Sequence, residues 1–125
     1  MAGQALHKSR ILIAEDDYRL SLRISVALND IGANCIYPAD TIEDALDHVM
    51  SSSRIDAAVI SVSLQGETTF AAAEHLVRRK IPFVFLTHLE TYAIPQEFDG
   101  VERFEKPIDI DRLVVRIASL LTAGE

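Results

Sequence analysis

The sequence predicts an α/β protein: a five-stranded parallel sheet with helices on both faces. Three observations carry this reading. Short apolar, β-rich runs fall near residues 10–14, 34–37, 57–62, 82–86 and 101–104. Helical periodicity fills the gaps, and strands that alternate with helices form a parallel sheet covered on both sides. The chain has 125 residues, enough for one domain with a real core and too few for two.

Each element follows in order. Residues 1–8 read as a disordered lead-in, residues 9–122 as the domain, and residues 123–125 as a tail. Ile11-Leu12-Ile13-Ala14 makes the first strand. Leu20, Ile24, Ala27, Leu28 and Ile31 then recur on one helix face. Asp17 suits the N-cap of that helix and Gly32 its C-terminal stop. Ile42, Ala45, Leu46 and Val49 make a second stripe, opened by Thr41 and Asp44 as a capping box. Ala57-Ala58-Val59-Ile60 is the third strand, and Phe70, Ala73, Leu76 and Val77 mark the third helix. Pro82 to Leu86 is the fourth strand. Pro95 and Gly100 interrupt the stretch from His88 to Gly100, where no apolar face repeats for three turns. A shortened or broken fourth helix is expected there. Val101 to Phe104 gives the fifth strand. Ile110, Leu113, Val114, Ile117, Leu120 and Leu121 make the last and clearest helix. Right-handed crossovers leave few topologies, and five strands of this size fit the flavodoxin-like order 2-1-3-4-5.

Composition narrows the function. The chain is 49% hydrophobic and 25% charged, which suits an ordinary folded domain. Its formal net charge of -7 disfavours a nucleic-acid backbone binder, which needs cations to neutralise phosphates. Arg78-Arg79-Lys80 is a helix end whose cations complement the dipole. Cys35 is the single cysteine, so it can form neither an intramolecular disulfide nor a cysteine metal site, and it fits a reducing cytoplasm. No apolar run approaches the roughly 20 residues of a membrane span, and no signal peptide is visible. His7, His48 and His75 lack ligand spacing and read as surface residues.

The informative residues stand where the strands stop. The first strand runs into Glu15-Asp16-Asp17, the third into Ser61, the fourth into Thr87-His88 and the fifth into Lys106-Pro107. In open α/β sheets, ligands bind beyond the carboxyl ends of the strands. Glu15, Asp16, Ser61, Thr87 and Lys106 should therefore share one polar pocket. Ser63 reads as a loop hydroxyl.

Taken in order, these motifs resemble the receiver (CheY-like) domain of bacterial two-component response regulators, over about residues 9 to 122. The resemblance implies an acidic pair, Glu15 and Asp16, that holds Mg²⁺. It implies a hydroxyl, Thr87, that bonds the phosphoryl oxygens. It implies a lysine, Lys106, before a cis-bonded Pro107. Leu64-Gln65-Gly66-Glu67, and Phe85-Leu86-Thr87 continuing to Tyr92, are similar to a group of mostly single-domain receivers with a reduced fourth helix. Three positions depart from the pattern. The family's phosphorylated aspartate falls at Ser61. His88 stands where Ala or Gly is usual. Arg103 stands where an aromatic often swings on activation, with Phe104 on the opposite side of the strand.

Ser61 sets the functional expectation. A carboxylate is ionised at neutral pH and attacks phosphorus directly, whereas a hydroxyl needs a base. Serine is also shorter by one bond, which misplaces the oxygen for in-line transfer. Loss of one charge weakens Mg²⁺ binding to Glu15 and Asp16 or abolishes it. Lys106 can then bridge to Asp16 or Glu15 as a standing salt bridge. The chain is accordingly read as no enzyme and without a required cofactor. It reads as an atypical stand-alone, cytoplasmic receiver-like signalling protein that acts by phosphorylation-independent protein–protein interaction. The expected surface is the last helix, the fifth strand and the stretch from His88 to Gly100. The resemblance implies a histidine kinase, a phosphotransfer protein or an anti-sigma-type regulator as partner, with neither nucleic acid nor membrane. Three alternatives stay open: small-molecule or ion sensing in the former phosphorylation pocket, altered phosphotransfer at Ser61, and a domain that only forms a homodimer.

Overall fold

The computed structural model describes residues 8–51, 53–88 and 93–123. Five strands form one parallel sheet: β1 (Arg10–Ala14), β2 (Asn34–Ala39), β3 (Ala57–Ser61), β6 (Phe83–Thr87) and β7 (Arg103–Glu105). Their spatial order is β2-β1-β3-β6-β7, which is 2-1-3-4-5 when the five are numbered along the chain. Among the described residues four helices cover the sheet: α1 (Tyr18–Asp30), α2 (Ile42–Met50), α3 (Phe70–Arg78) and α4 (Ile110–Ala123). This is the architecture the sequence predicts.

The alternation of side chains along each strand divides the interior into two cores. Ile11, Ile13, Val59, Val84 and Leu86 pack with Leu20, Ile24 and Leu28 of α1 and with Leu113 and Ile117 of α4. Leu12, Ala14, Ala58, Ile60, Phe83 and Phe85 pack with Ala45 and Val49 of α2 and with Ala72, Ala73 and Leu76 of α3. Both faces of β1, β3 and β6 are buried, which is why these strands read as continuous apolar runs.

The helix ends follow their local chemistry. The Asp17 carboxylate accepts from the backbone N–H of Arg19 (3.0 Å) and of Leu20 (3.3 Å), as an N-cap should. At the other end of α1, Gly32 adopts φ 101°. Gly32 N–H donates to Asn29 O (3.0 Å) and Ala33 N–H to Leu28 O (3.1 Å), the paired bonds of a Schellman stop. Thr41 Oγ1 accepts from Asp44 N–H (3.1 Å) at the start of α2. Lys8, within the expected lead-in, is tied to the fold: its N–H donates to Gly32 O (3.0 Å) and its carbonyl accepts from Arg54 (2.6 Å).

Three sequence readings are corrected here. The fifth strand is Arg103–Glu105, not 101–104, because pairing with β6 sets Phe85 against Arg103 and Thr87 against Glu105. Val77 is 54% exposed, and Ala72 takes the core position instead; α3 packs on α2 through small residues that let the helices approach. A small hairpin, β4 (Ser63–Leu64) and β5 (Glu67–Thr68), follows β3, so Ser63 lies in a strand and not in a loop. Two-residue strands are too short to show a period in sequence. The turn between them holds Gln65 and Gly66 at φ 49° and 85°, the double positive-φ geometry of a tight hairpin.

The stretch between β6 and β7 matches the expectation of a reduced helix. Leu89 to Tyr92 lie outside the described residues, and a single 3-10 turn, Gln96–Phe98, is the helical element among the rest. Phe98 covers the sheet in place of a full helix. It is buried among Phe70, Phe85 and Phe83, with ring centroids 6.0, 5.6 and 6.4 Å away. Phe98→Ala should therefore cost about 3–5 kcal/mol of stability, read by urea denaturation. Cys35, on β2, donates weakly to Ser25 O (3.8 Å). Burial pushes its thiol up to about 11, against a smaller lowering by the Ser25 contact. At pH 8 roughly one thiol in a thousand is ionised, so a disulfide reagent should label Cys35 slowly in the folded protein and rapidly in urea.

Candidate functional site

In a parallel sheet all strands end on the same side, and the order β1-β3-β6-β7 puts the residues after those strands next to one another. Ala14 pairs with Ile60, Ser61 with Leu86 and Thr87 with Glu105. Glu15, Ser61, Thr87 and Lys106 thus form one row along the sheet's carboxyl edge. Glu15, Ser61 and Thr87 are buried, at 1, 3 and 6% exposure. The sequence reading gathered these four with Asp16 in one polar pocket; in the structure Glu15, Ser61 and Lys106 meet through side chains, and Thr87 joins through its carbonyl, which accepts from Lys106 N–H.

Glu15 is the hub. Its Oε2 accepts from Asp17 N–H at 2.8 Å. Its Oε1 accepts from the Ser61 hydroxyl and forms an ion pair with Lys106 Nζ at 2.9 Å. Three donors from three segments therefore meet one buried carboxylate. A buried charge is tolerable when it is both paired and hydrogen-bonded, and this one is. Lys106 is held in register by its own N–H, which donates to Thr87 O at 2.9 Å. The Lys106–Pro107 peptide is cis, as the resemblance implies, and Pro107 itself is exposed.

Asp16 has a different role. It is exposed, and its Oδ2 accepts from the backbone N–H of Gln65 at 2.7 Å. The Gln65 side chain in turn donates to Asp40 O at 3.1 Å. Asp16 therefore clips the β4–β5 hairpin onto the sheet edge. Of the two salt bridges considered for Lys106, the one to Glu15 forms.

Two contributors escaped the sequence reading. Thr69 is fully buried, and its hydroxyl donates to Ser61 O (2.6 Å) and Val62 O (3.1 Å), which shapes the chain just after β3. A threonine before an apolar helical run looks like an N-cap, yet Thr69 makes no side-chain cap bond. Gln65 is the second, and a left-handed glutamine carries no sequence signal at all. His88 is exposed at the rim.

The donor set can be tested against a divalent ion. Mg²⁺ demands near-octahedral oxygen coordination at about 2.0–2.1 Å. Here both Glu15 oxygens already accept protein donors, Asp16 Oδ2 accepts from Gln65, and Ser61 offers a neutral hydroxyl. Among the described residues no three His, Cys, Asp or Glu side chains gather to hold a metal. The residues as arranged do not fit the ion, and the Lys106 ammonium supplies the compensating positive charge.

No family model matches the chain, and no curated protein does. Solved structures do. SdrG from Sphingomonas melonis Fr1 is 31% identical, with 91% of this chain and 97% of that chain covered and a TM-score of 0.78. The non-phosphorylated HemR receiver domain from Leptospira biflexa is 25% identical, covering 91% of this chain and 94% of that chain at a TM-score of 0.74. A response regulator receiver protein from Sinorhizobium medicae WSM419 is 22% identical, covering 96% and 99% at a TM-score of 0.79. The chain is a CheY-like receiver domain. Among the described residues of this receiver, no helix is long and apolar enough to cross a membrane.

The receiver's central ion pair gives a direct test. Lys106 keeps 22% of its side chain exposed, while that of Glu15 has none. Lys106→Met strands the carboxylate and should cost about 3 kcal/mol, the low end for a buried pair. The double variant Lys106→Met/Glu15→Leu should recover most of that loss. Urea denaturation of both variants measures the difference.

Proposed function

We propose that this receiver domain signals by phosphorylation-independent binding to another protein. Ser61 holds the acceptor position that the resemblance assigns to aspartate. The observation that supports the reading most is the shared partner of Ser61 and Lys106. Both point at Glu15 Oε1, so the hydroxyl and the ammonium share one carboxylate oxygen. Lys106, the residue the family uses against the phosphoryl group, is already engaged. The pocket is electrostatically closed in this arrangement and holds one conformation without a signal. By resemblance the partner is a histidine kinase, a phosphotransfer protein or an anti-sigma-type regulator.

One observation favours a second reading, altered phosphotransfer. Ser61 Oγ donates to a carboxylate that could take its proton as a general base. The competing fact is that Lys106 sits on the same oxygen at 2.9 Å, in an ion pair that protonation of the carboxylate would break. Ser61 is also only 3% exposed, which restricts approach of a phosphoryl donor.

The two readings separate by mass spectrometry after incubation with acetyl phosphate, with and without millimolar Mg²⁺. The expected result is no phosphate adduct and no saturable heat of Mg²⁺ binding. Ser61→Asp, which restores a third carboxylate, should bind Mg²⁺ measurably. Both forms should recover the same partner in equal amount from the native cell. An adduct on Ser61 that changes partner recovery would overturn the proposal.

A further inference from the structure

A groove of about 800 Å³ lies between α1 and α2 across the edge strand β2. Its walls differ in chemistry. On one side Tyr18 and Leu22 of α1 stand 74% and 47% exposed, and Val26, at 51%, extends their row along the helix beyond the groove's lining. These three recur at i, i+4 and i+8, an apolar ridge along the helix with a span of about 12 Å. Ile36 and Pro38 of β2 form an apolar floor. Asp40 and Asp44 stand exposed on the far side. Among the described residues that line the groove there is no lysine or arginine. Arg19 and Arg23 are exposed on the same helix but do not line it.

We infer that this groove docks a basic amphipathic helix of a partner protein. The inference deepens the reading above, that the domain works by binding a protein, and rests on it. Three observations select this occupant. The apolar ridge and floor demand an apolar face. The exposed carboxylates of Asp40 and Asp44, with no lysine or arginine among the lining residues and one histidine, His48, favour positive charge beside that face. The third is the state of the sheet edge. A partner strand would need a regular row of backbone groups on β2, but Pro38 lacks an N–H and the register shifts between Leu12 and Ala14. A helix laid into the groove needs no such row. Glu15 and Asp16 also line the groove, so a docked helix lies against the pocket end of the sheet. This surface differs from the last helix and fifth strand that the sequence suggested.

The test is an NMR titration of the full chain with a synthetic helix-forming peptide of leucine and lysine, against a counterpart in which glutamate replaces lysine. The basic peptide should shift resonances of α1, β2 and α2, and the acidic one should not bind. Leu22→Ser should weaken binding roughly tenfold, and so should Asp40→Asn with Asp44→Asn. Glu97→Gln with Asp111→Asn removes two exposed carboxylates outside the groove and should change affinity less than about twofold. Equal loss in that control, or shifts centred on α4 and β7, would overturn the groove while leaving protein binding itself intact. Spermidine binding as tightly as the basic peptide would overturn the helix in favour of a small cation. Concentration-dependent self-association in light scattering, abolished by Leu22→Ser, would overturn it in favour of a second copy. A phosphate adduct on Ser61 is a separate measurement and bears on the earlier proposal instead.

Discussion

One carboxylate, that of Glu15, is buried among three donors, and the carboxyl edge of the sheet is arranged to satisfy it. The Glu15 side chain is wholly buried, and its donors come from the start of α1, the end of β3 and the loop after β7. Segments more than forty residues apart are joined at one group. Removing any donor exposes the rest to the cost of an incompletely solvated anion. Serine at position 61 belongs to this balance, because a hydroxyl can donate to the carboxylate, whereas an ionised carboxylate in its place could only accept and would repel.

The fold was legible because the strong signals were long ones. Continuous apolar runs marked β1, β3 and β6, whose two faces are both buried. Leu20, Ile24 and Leu28, and later Leu113 and Ile117, repeat at the helical period and all reach the core. The row of strand-end residues was legible for a related reason: a parallel sheet collects those ends wherever the apolar runs stop. The shifted β7 shows the limit. Pairing with β6, not the apolar content of Val101 to Phe104, decided where the strand lies.

The part that stayed hidden depends on single backbone angles and on choices between equivalent partners. Glu15 and Asp16 are adjacent acids with the same apparent role, yet successive residues beyond a strand face different ways. One is buried on Lys106 and the other is spent on Gln65. That division needs a hairpin whose strands are two residues long and whose turn places a glutamine at φ 49°. Thr69 was hidden differently. Its hydroxyl donates to two carbonyls, at the end of β3 and at the residue after it, and no local pattern marks those partners.

On the opposite border of the sheet, Arg112 lies over the ring of Phe104 with its Cζ 4.5 Å from the centroid. Arg112 and Arg116 both reach Glu102, at 3.3 and 2.5 Å. The ring is thus roofed by a guanidinium that is itself tethered. Rotamers on this border are chosen before anything arrives, so association here would surrender little side-chain freedom. The same tethering narrows the range of shapes this border presents.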